Sequence, residues 1–355
     1  MRDSQALAAS REEADFRSDT ITKPTAEMLR AMGSAEVGDD VLGDDPTVQR
    51  LEAIAAERFG KEAALFVPSG TMGNQIAIAT ATRPGEEILV HRQNHCFQYE
   101  GGGLARICLV QARLLDGPAG CVPVADFEAN LRPDDVHHPR TRLVALEQTH
   151  MASGGRVLPL AYIEAVRAFA TAQRLWVHID GARVFNASVA AGVSPARYGA
   201  LCDSLTFCLS KGLSAPVGSV LVGSREFVRE ARRTRKLLGG GMRQAGYLAA
   251  CGLVALDAMV ERLAEDHARA ERLARAFGAL DAGGRAAIDP AAVETNLVIL
   301  DTPNGAAPGI QAALEQRGVR ALALGASRLR FVTHRHIEDR HVERAIEALR
   351  AVWPN

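Results

Sequence analysis

The chain has 355 residues, 47% of them hydrophobic, which is enough to bury a large core and to divide into two domains. Its 41 Lys and Arg balance 42 Asp and Glu, so its charge gives no reason to expect a nucleic-acid or membrane partner. No apolar run approaches a membrane span, and six scattered cysteines without metal-ligand spacing suit a reduced, cytoplasmic setting.

Residues 1–14 are polar and lack the apolar stretch of a secretory signal, so 1–15 reads as a short N-terminal extension. Ser18 and Asp19 have the character of turn or helix caps. Asp45-Pro46 reads as an N-cap followed by proline at the first helical position. Val48, Leu51, Ala55 and Phe59 then recur at helical spacing, with Gly60 as the stop. A short apolar run over 63–67 reads as a strand, and Pro68-Ser69-Gly70-Thr71 opens a helix running to about residue 81. Small residues at a helix start leave N–H groups free at the positive end of the dipole, a natural phosphate seat, but Ser69, Gly70 and Thr71 taken alone read as an ordinary capped helix start. The spacing matches neither the dinucleotide fingerprint nor the P-loop.

A strand over 88–91 leads to His95, and Glu100 opens a glycine-rich turn to which no chemistry is assigned. Residues 117–139 read as a surface excursion with a short helix over 125–131, ending in His137-His138. A buried-type strand over 143–146 delivers Glu147, Thr149 and His150, and a helix over 159–173 crosses back. Strand–helix–strand repeats imply right-handed crossovers and a mostly parallel sheet.

Residues 175–221 carry the chemistry. Two short apolar runs, 175–179 and 205–209, suit buried strands. Asp180 closes the first, and Ser210-Lys211 follows the second. Ligands of open α/β sheets bind at the carboxyl ends of strands. An acid and an amine delivered to that rim call for a ligand with a basic nitrogen and an electrophilic carbon. Pyridoxal 5'-phosphate (PLP) meets both demands: a lysine amine condenses with its aldehyde, and a carboxylate keeps its ring nitrogen protonated. Taken singly, Asp180 is an ordinary turn cap and Lys211 a solvated lysine; the pair, with Arg183 close by, carries the argument.

Residues 245–277 are Ala-rich and helical, strands are expected over 295–300 and 327–333, and helices over 309–317 and 338–352. Arg328 and Arg330 share one face of the last strand. A planar guanidinium grips both oxygens of a carboxylate, which a lysine cannot do.

Five motifs stand in one order: S-D-T (18–20), V-G-D-D-V-L-G-D-D-P-T (37–47), H-I-D-G-A-R-V-F-N-A (178–187), C-L-S-K-G-L (208–213) and G-G-G-M-R-Q (239–244). In these motifs the chain resembles the L-threonine aldolases (low-specificity or L-allo type) among the fold-type I PLP-dependent enzymes, from about Phe16 to near the C-terminus. The resemblance implies an α/β fold with a PLP-binding large domain over 16–250 and a smaller α+β domain over 251–355. It also implies cleavage of threonine or a related β-hydroxy-α-amino acid to glycine and an aldehyde. Carried over residue by residue, Lys211, Asp180, Gly70, Thr71, His95, Arg183, Ser210, Lys236 and Arg243 would bind the cofactor. Ser18, Arg183 and Arg330 would bind the substrate carboxylate, with Arg328 competing for the last place. His95 would stack on the ring, and either His95 or His137 would act as base, His138 being the alternative to His137.

The family assembles as a homodimer or homotetramer with sites at the interface, which implies the same here. Leu42 replaces a family tyrosine, and Gln148 and Met151 replace two asparagines, which opens the question of substrate size. Other enzymes on this scaffold (a β-eliminating lyase, a racemase or an aminotransferase) would share Lys211 and Asp180, as would a non-catalytic PLP-binding protein.

Overall fold

In the computed structural model, which describes residues 13–284 and 287–354, the apolar runs become strands. In chain order these are β1 (Ala14–Asp15), β2 (Ala63–Val67), β3 (Glu87–His91), β4 (Gln111–Leu115), β5 (Thr141–Glu147) and β6 (Trp176–Asp180). They continue with β7 (Ser204–Cys208), β8 (Ser219–Gly223), β9 (Leu297–Asp301), β10 (Val319–Arg320), β11 (Leu322–Leu324) and β12 (Arg328–Val332). Most of the expected 1–15 extension lies outside the described residues.

One unit is Lys23–Glu261, built on a seven-stranded sheet in the order β2-β8-β7-β6-β5-β3-β4. Neighbours from β7 to β4 run parallel, while β8 is antiparallel to both β7 and β2. Every residue of β3, β7 and β8 is buried, as expected of strands covered on both faces. The chain runs outward from β3 to β4, then returns past β3 to β5 and continues the other way through β6 and β7. The order therefore reverses between β3 and β5, and a ligand crevice is expected beyond the strand ends there.

The helix Gly70–Ala81 begins against the far end of β7. A Cβ on Gly70 would lie 2.8 Å from Cys208 Sγ, and one on Gly73 would lie 2.5 Å from Thr206 Cγ2. Glycine at both positions lets the first turn sit on that strand end. The helix Pro46–Arg58 starts at the expected Asp45 cap, whose Oδ1 accepts from Val48 N at 3.0 Å. Its Oδ2 accepts from Gly246 N at 2.8 Å, so one carboxylate closes the starts of two helices, this one and Gly246–Ala258.

Two features depart from the sequence expectation. Arg235-Lys236, which with Gly239 to Arg243 reads in the sequence as a basic, glycine-rich loop, is the last turn of the helix Arg225–Leu237. Arg235 is buried, pairs with Asp40 at 2.8 Å and donates to Phe66 O at 2.7 Å, while Lys236 is exposed. The long helix expected over 245–277 is two helices, Gly246–Ala258 and Leu263–Phe277.

The second unit joins residues 13–22 to 262–354, so the division falls at 261/262 rather than 250/251, and the S-D-T segment goes with the C-terminal unit. β1 pairs in parallel with β10, and β11-β12-β9 form an antiparallel sheet. Phe331 holds its core together, with its ring 5.6 Å from that of Phe16 and 5.2 Å from that of Phe277.

Asp45→Ala removes a cap and orphans the Gly246 N–H, so unfolding should become easier by about 2–4 kcal/mol. Urea denaturation measures this, and a loss below about 1 kcal/mol would show that the double cap carries little of the stability.

Candidate active site

At the reversal point the strand ends converge on a set of buried acids. β6 ends in Asp180 and β5 ends in Glu147 directly opposite it, and both are buried. β3 leads through a turn to the short helix His95–Gln98. Glu147 fixes that turn: its Oε2 accepts from His95 N at 2.7 Å and its Oε1 from Met151 N at 2.9 Å. Asn74, one turn into the helix Gly70–Ala81, donates through Nδ2 to Asp180 Oδ2 and to Glu100 Oε1, both at 2.8 Å. Its Oδ1 lies 3.2 Å from His178 Nε2. Glu100 Oε1 also lies 3.1 Å from His95 Nδ1, and Asp180 Oδ1 accepts from Ala182 N at 3.1 Å.

Burial and like charge shape the ionisation of this cluster. Burial, reinforced by the Asp180 carboxylate, pushes Glu147 up to about 7. Burial also raises Glu100, against the bond from His95. For His95, burial opposes the charged ring, but the bond to Glu100 and the charges of Asp180 and Glu147 outweigh it, so the ring holds its proton above the usual histidine range. Burial drives His178 down to about 4, which leaves it neutral near pH 7.

The amine arrives on the neighbouring strand. β6 and β7 pair in parallel with Asp180 opposite Thr206, and Ser210 and Lys211, both half-buried, follow β7. Lys211 O accepts from Ser214 N at 2.9 Å, turning the chain sharply after the amine. At the start of the helix Gly70–Ala81, Ser69 Oγ takes the N–H of Met72 and Ser69 O that of Gly73. The N–H groups of Gly70 and Thr71 find no acceptor among the described residues. Arg183, three residues past Asp180, is buried. A Cβ on Gly240 would collide with Met72 Sδ, so the 239–241 loop lies against this helix start. On either side of that loop, Lys236 and Arg243 are exposed, Arg243 donating to Asp39 Oδ2 at 2.8 Å.

Ser18 and Arg330 belong to the second unit, where Arg330 Nη2 donates to Arg17 O at 2.8 Å and so lies beside the S-D-T segment. Ser18 caps the turn, its Oγ accepting from Thr20 N at 3.2 Å. Arg328 pairs across β12 with Asp301 and Leu324. His137 sits on an exposed loop with Nδ1 2.6 Å from Asp135 Oδ1, and no hydrogen bond among the described residues joins it to the acids. His138 is exposed on the same loop. Leu42 is exposed, whereas Gln148 is buried with its amide spent on both backbone groups of Leu158.

Asn74, Glu100 and His178 were not singled out from the sequence. His178 carried one usable signal, since it sits two residues before Asp180 and therefore on the same face of β6.

An acid and an amine on neighbouring ends of a mostly parallel sheet, with a helix start beside them, are the arrangement of the fold-type I class. Residues 15–303 match the beta-eliminating lyase family. A probable low-specificity L-threonine aldolase 2 of Arabidopsis thaliana is 45% identical over 346 residues, covering 96% of this chain and 97% of its own. The low specificity L-threonine aldolase of Escherichia coli K12 is 43% identical, covering 90% and 93%. The chain belongs to the L-threonine aldolase family, within the beta-eliminating lyases. A Leishmania major threonine aldolase structure shares the fold at TM-score 0.80 and 20% identity, covering 95% of this chain and 99% of its own.

Because Glu147 is buried with a raised pKa, folding favours its protonated form, and the wild type loses this contribution as pH rises from its unfolded value through about 7. Glu147→Gln orphans one N–H at every pH but never carries the charge. Its deficit in stability should be about 1–3 kcal/mol at pH 5 and smaller at pH 8. Urea midpoints at the two pH values test this, and a constant gap would contradict it.

Proposed function

We propose that this protein is a PLP-dependent aldolase that cleaves β-hydroxy-α-amino acids, L-threonine or L-allo-threonine among them, to glycine and an aldehyde. The observation that carries this reading is the pairing of the buried Asp180 with Lys211 on neighbouring parallel strand ends, beside a helix start with two unclaimed N–H groups. The residues present fit the cofactor. Asp180 is a buried acid held by the Asn74 amide and the Ala182 N–H, as suits a carboxylate that serves a pyridinium nitrogen. The Gly70 and Thr71 N–H groups suit an anion. When bound, PLP supplies an aldehyde for an amine and a protonated ring that withdraws electrons from the bond being broken.

The chain's own groups do the rest. Asp180 would keep the cofactor's ring nitrogen protonated, and Lys211 would hold the cofactor by its aldehyde and yield that place to the substrate amine. Gly70, Thr71 and Ser210 would hold the phosphate. Lys236 and Arg243, both exposed, serve the phosphate of a second copy in a homodimer or homotetramer. Arg330, with Ser18 and Arg183, takes the amino-acid carboxylate and so orients the Cα–Cβ bond. His95 takes the proton of the β-hydroxyl as the Cα–Cβ bond breaks and the aldehyde leaves; Cα then gains a proton, and glycine is released. His137 remains the second candidate for the base.

Lys211→Ala should abolish borohydride-dependent covalent attachment of PLP, measured by intact mass; attachment at another residue would refute the assignment. Arg330→Ala should raise KM for threonine by about 100-fold, the range for losing a bound, charged hydrogen-bond partner, while PLP affinity changes little. An unchanged KM would pass the carboxylate to Arg328 or Arg183. Assaying acetaldehyde against 2-oxobutanoate with both threonine diastereomers separates the aldolase from an eliminating enzyme.

A further inference from the structure

We propose that Glu100 is a positioning residue for His95: its carboxylate holds the imidazole with the proton on Nδ1 and so presents Nε2 as the nitrogen that exchanges a proton with the substrate hydroxyl. The inference rests on the reading of His95 as the base and names the group that prepares it.

The argument is a count of donors and acceptors along one buried chain, with protons assigned from partner chemistry. Trp176 Nε1 can only donate, and it gives its proton to Ser204 Oγ at 3.0 Å. The Ser204 hydroxyl then gives its own proton to His178 Nδ1, also at 3.0 Å. His178 is neutral, so its single ring proton sits on Nε2 and goes to Asn74 Oδ1 at 3.2 Å. The two carboxylates fix this end of the chain: Asn74 Nδ2 lies 2.8 Å from both Asp180 Oδ2 and Glu100 Oε1, so its N–H groups go to the acids and its Oδ1 is left to accept from His178 Nε2–H. Glu100 Oε1, already an acceptor, faces His95 Nδ1 at 3.1 Å, which makes Nδ1–H the donor of the last link. Each group has the one role its neighbours leave it.

Glu100 is placed to exert this control. It is buried, so the attraction between its charge and the His95 proton is weakly screened, and its Oε2 has no hydrogen-bond partner among the described residues. The other charged groups acting on His95 are Asp180 from β6, Glu147 from β5 and Lys211 after β7; the two acids favour the ring's proton and the lysine opposes it. Glu147 reaches only the His95 backbone, and Asp180 is joined through Asn74. Only Glu100 bonds the ring itself among the described residues. Glu100 stands five residues after His95, just before a turn at Gly101 and Gly102, both at positive φ.

Glu100→Gln keeps the size and an acceptor oxygen but removes the charge. In the PLP-loaded variant, kcat for threonine cleavage should fall by about 10–100-fold, the range for losing the partner that orients a working group, with KM within about twofold. The acid limb of the kcat–pH profile should move to lower pH, because a ring without its anion gives up its proton more readily. Glu100→Asp, which keeps the charge, should return part of that shift. A readout independent of turnover is the imidazole 15N spectrum of histidine-labelled protein, with His95 identified by loss of its signal in His95→Asn. The neutral wild-type ring should carry its proton on Nδ1, and its midpoint should drop in Glu100→Gln. A wild-type ring protonated on Nε2 would overturn the proposal even if the variants fail to fold, as would an unmoved pH limb in a folded, active Glu100→Gln. If the wild type releases no aldehyde from any β-hydroxy amino acid, the aldolase reading fails and this inference with it. Normal wild-type turnover with an unmoved Glu100→Gln sinks this inference alone.

Discussion

Three carboxylates, Asp180, Glu147 and Glu100, are buried at one rim of the sheet, and the rest of the site is arranged around the cost of keeping them there. An ionised acid out of water is costly unless donors surround it. Backbone N–H groups compensate Glu147, an amide and a backbone N–H compensate Asp180, and the same amide with one imidazole compensates Glu100. Asn74 is the economical element, since one side chain serves two acids that would otherwise repel each other. Its place in the helix Gly70–Ala81 also ties the acids to the turn that offers Gly70 and Thr71. Asp180, Glu100 with the His95 it bonds, and the Gly70 and Thr71 N–H groups are therefore registered to one rigid helix rather than to separate loops, the kind of support a precise site needs.

Much of this was legible from the chain alone, for physical reasons. Strands β2, β3, β6 and β7 are short apolar runs because both faces of a mostly parallel sheet are covered, and such runs stand out. Asp180 and Lys211 stood out because an ionisable group at the end of an apolar strand demands an explanation. Asp45 was legible because capping is local chemistry, but its second partner, Gly246, lies 201 residues away and leaves no trace near Asp45 in the sequence.

What was not legible depends on distant packing. Asn74 looks like any polar residue on a helix until the sheet brings Glu100 and Asp180 to it. Strand β4 has only a half-apolar pattern, since its outer neighbour is solvent, and it was passed over. Arg235 sits in a strongly basic run, for which a solvated face is the ordinary reading; its burial follows from Asp40, which a sequence pattern does not bring near. The placement of residues 13–22 with the C-terminal unit has the same origin, because β1 finds its partner in β10, some 300 residues later.

The strand β2 has a single neighbour in the sheet, β8, which is synthesised about 150 residues after it. At ordinary translation speeds this gap lasts on the order of 10–30 seconds. Throughout that interval the nascent chain carries a five-residue, almost wholly apolar segment with no partner for its ladder, the kind of edge that draws other chains. Yield of the intact protein in a host is thus tied to how well that segment is shielded on the ribosome, and slower growth or added holdase chaperone acts on this step before any cofactor is involved.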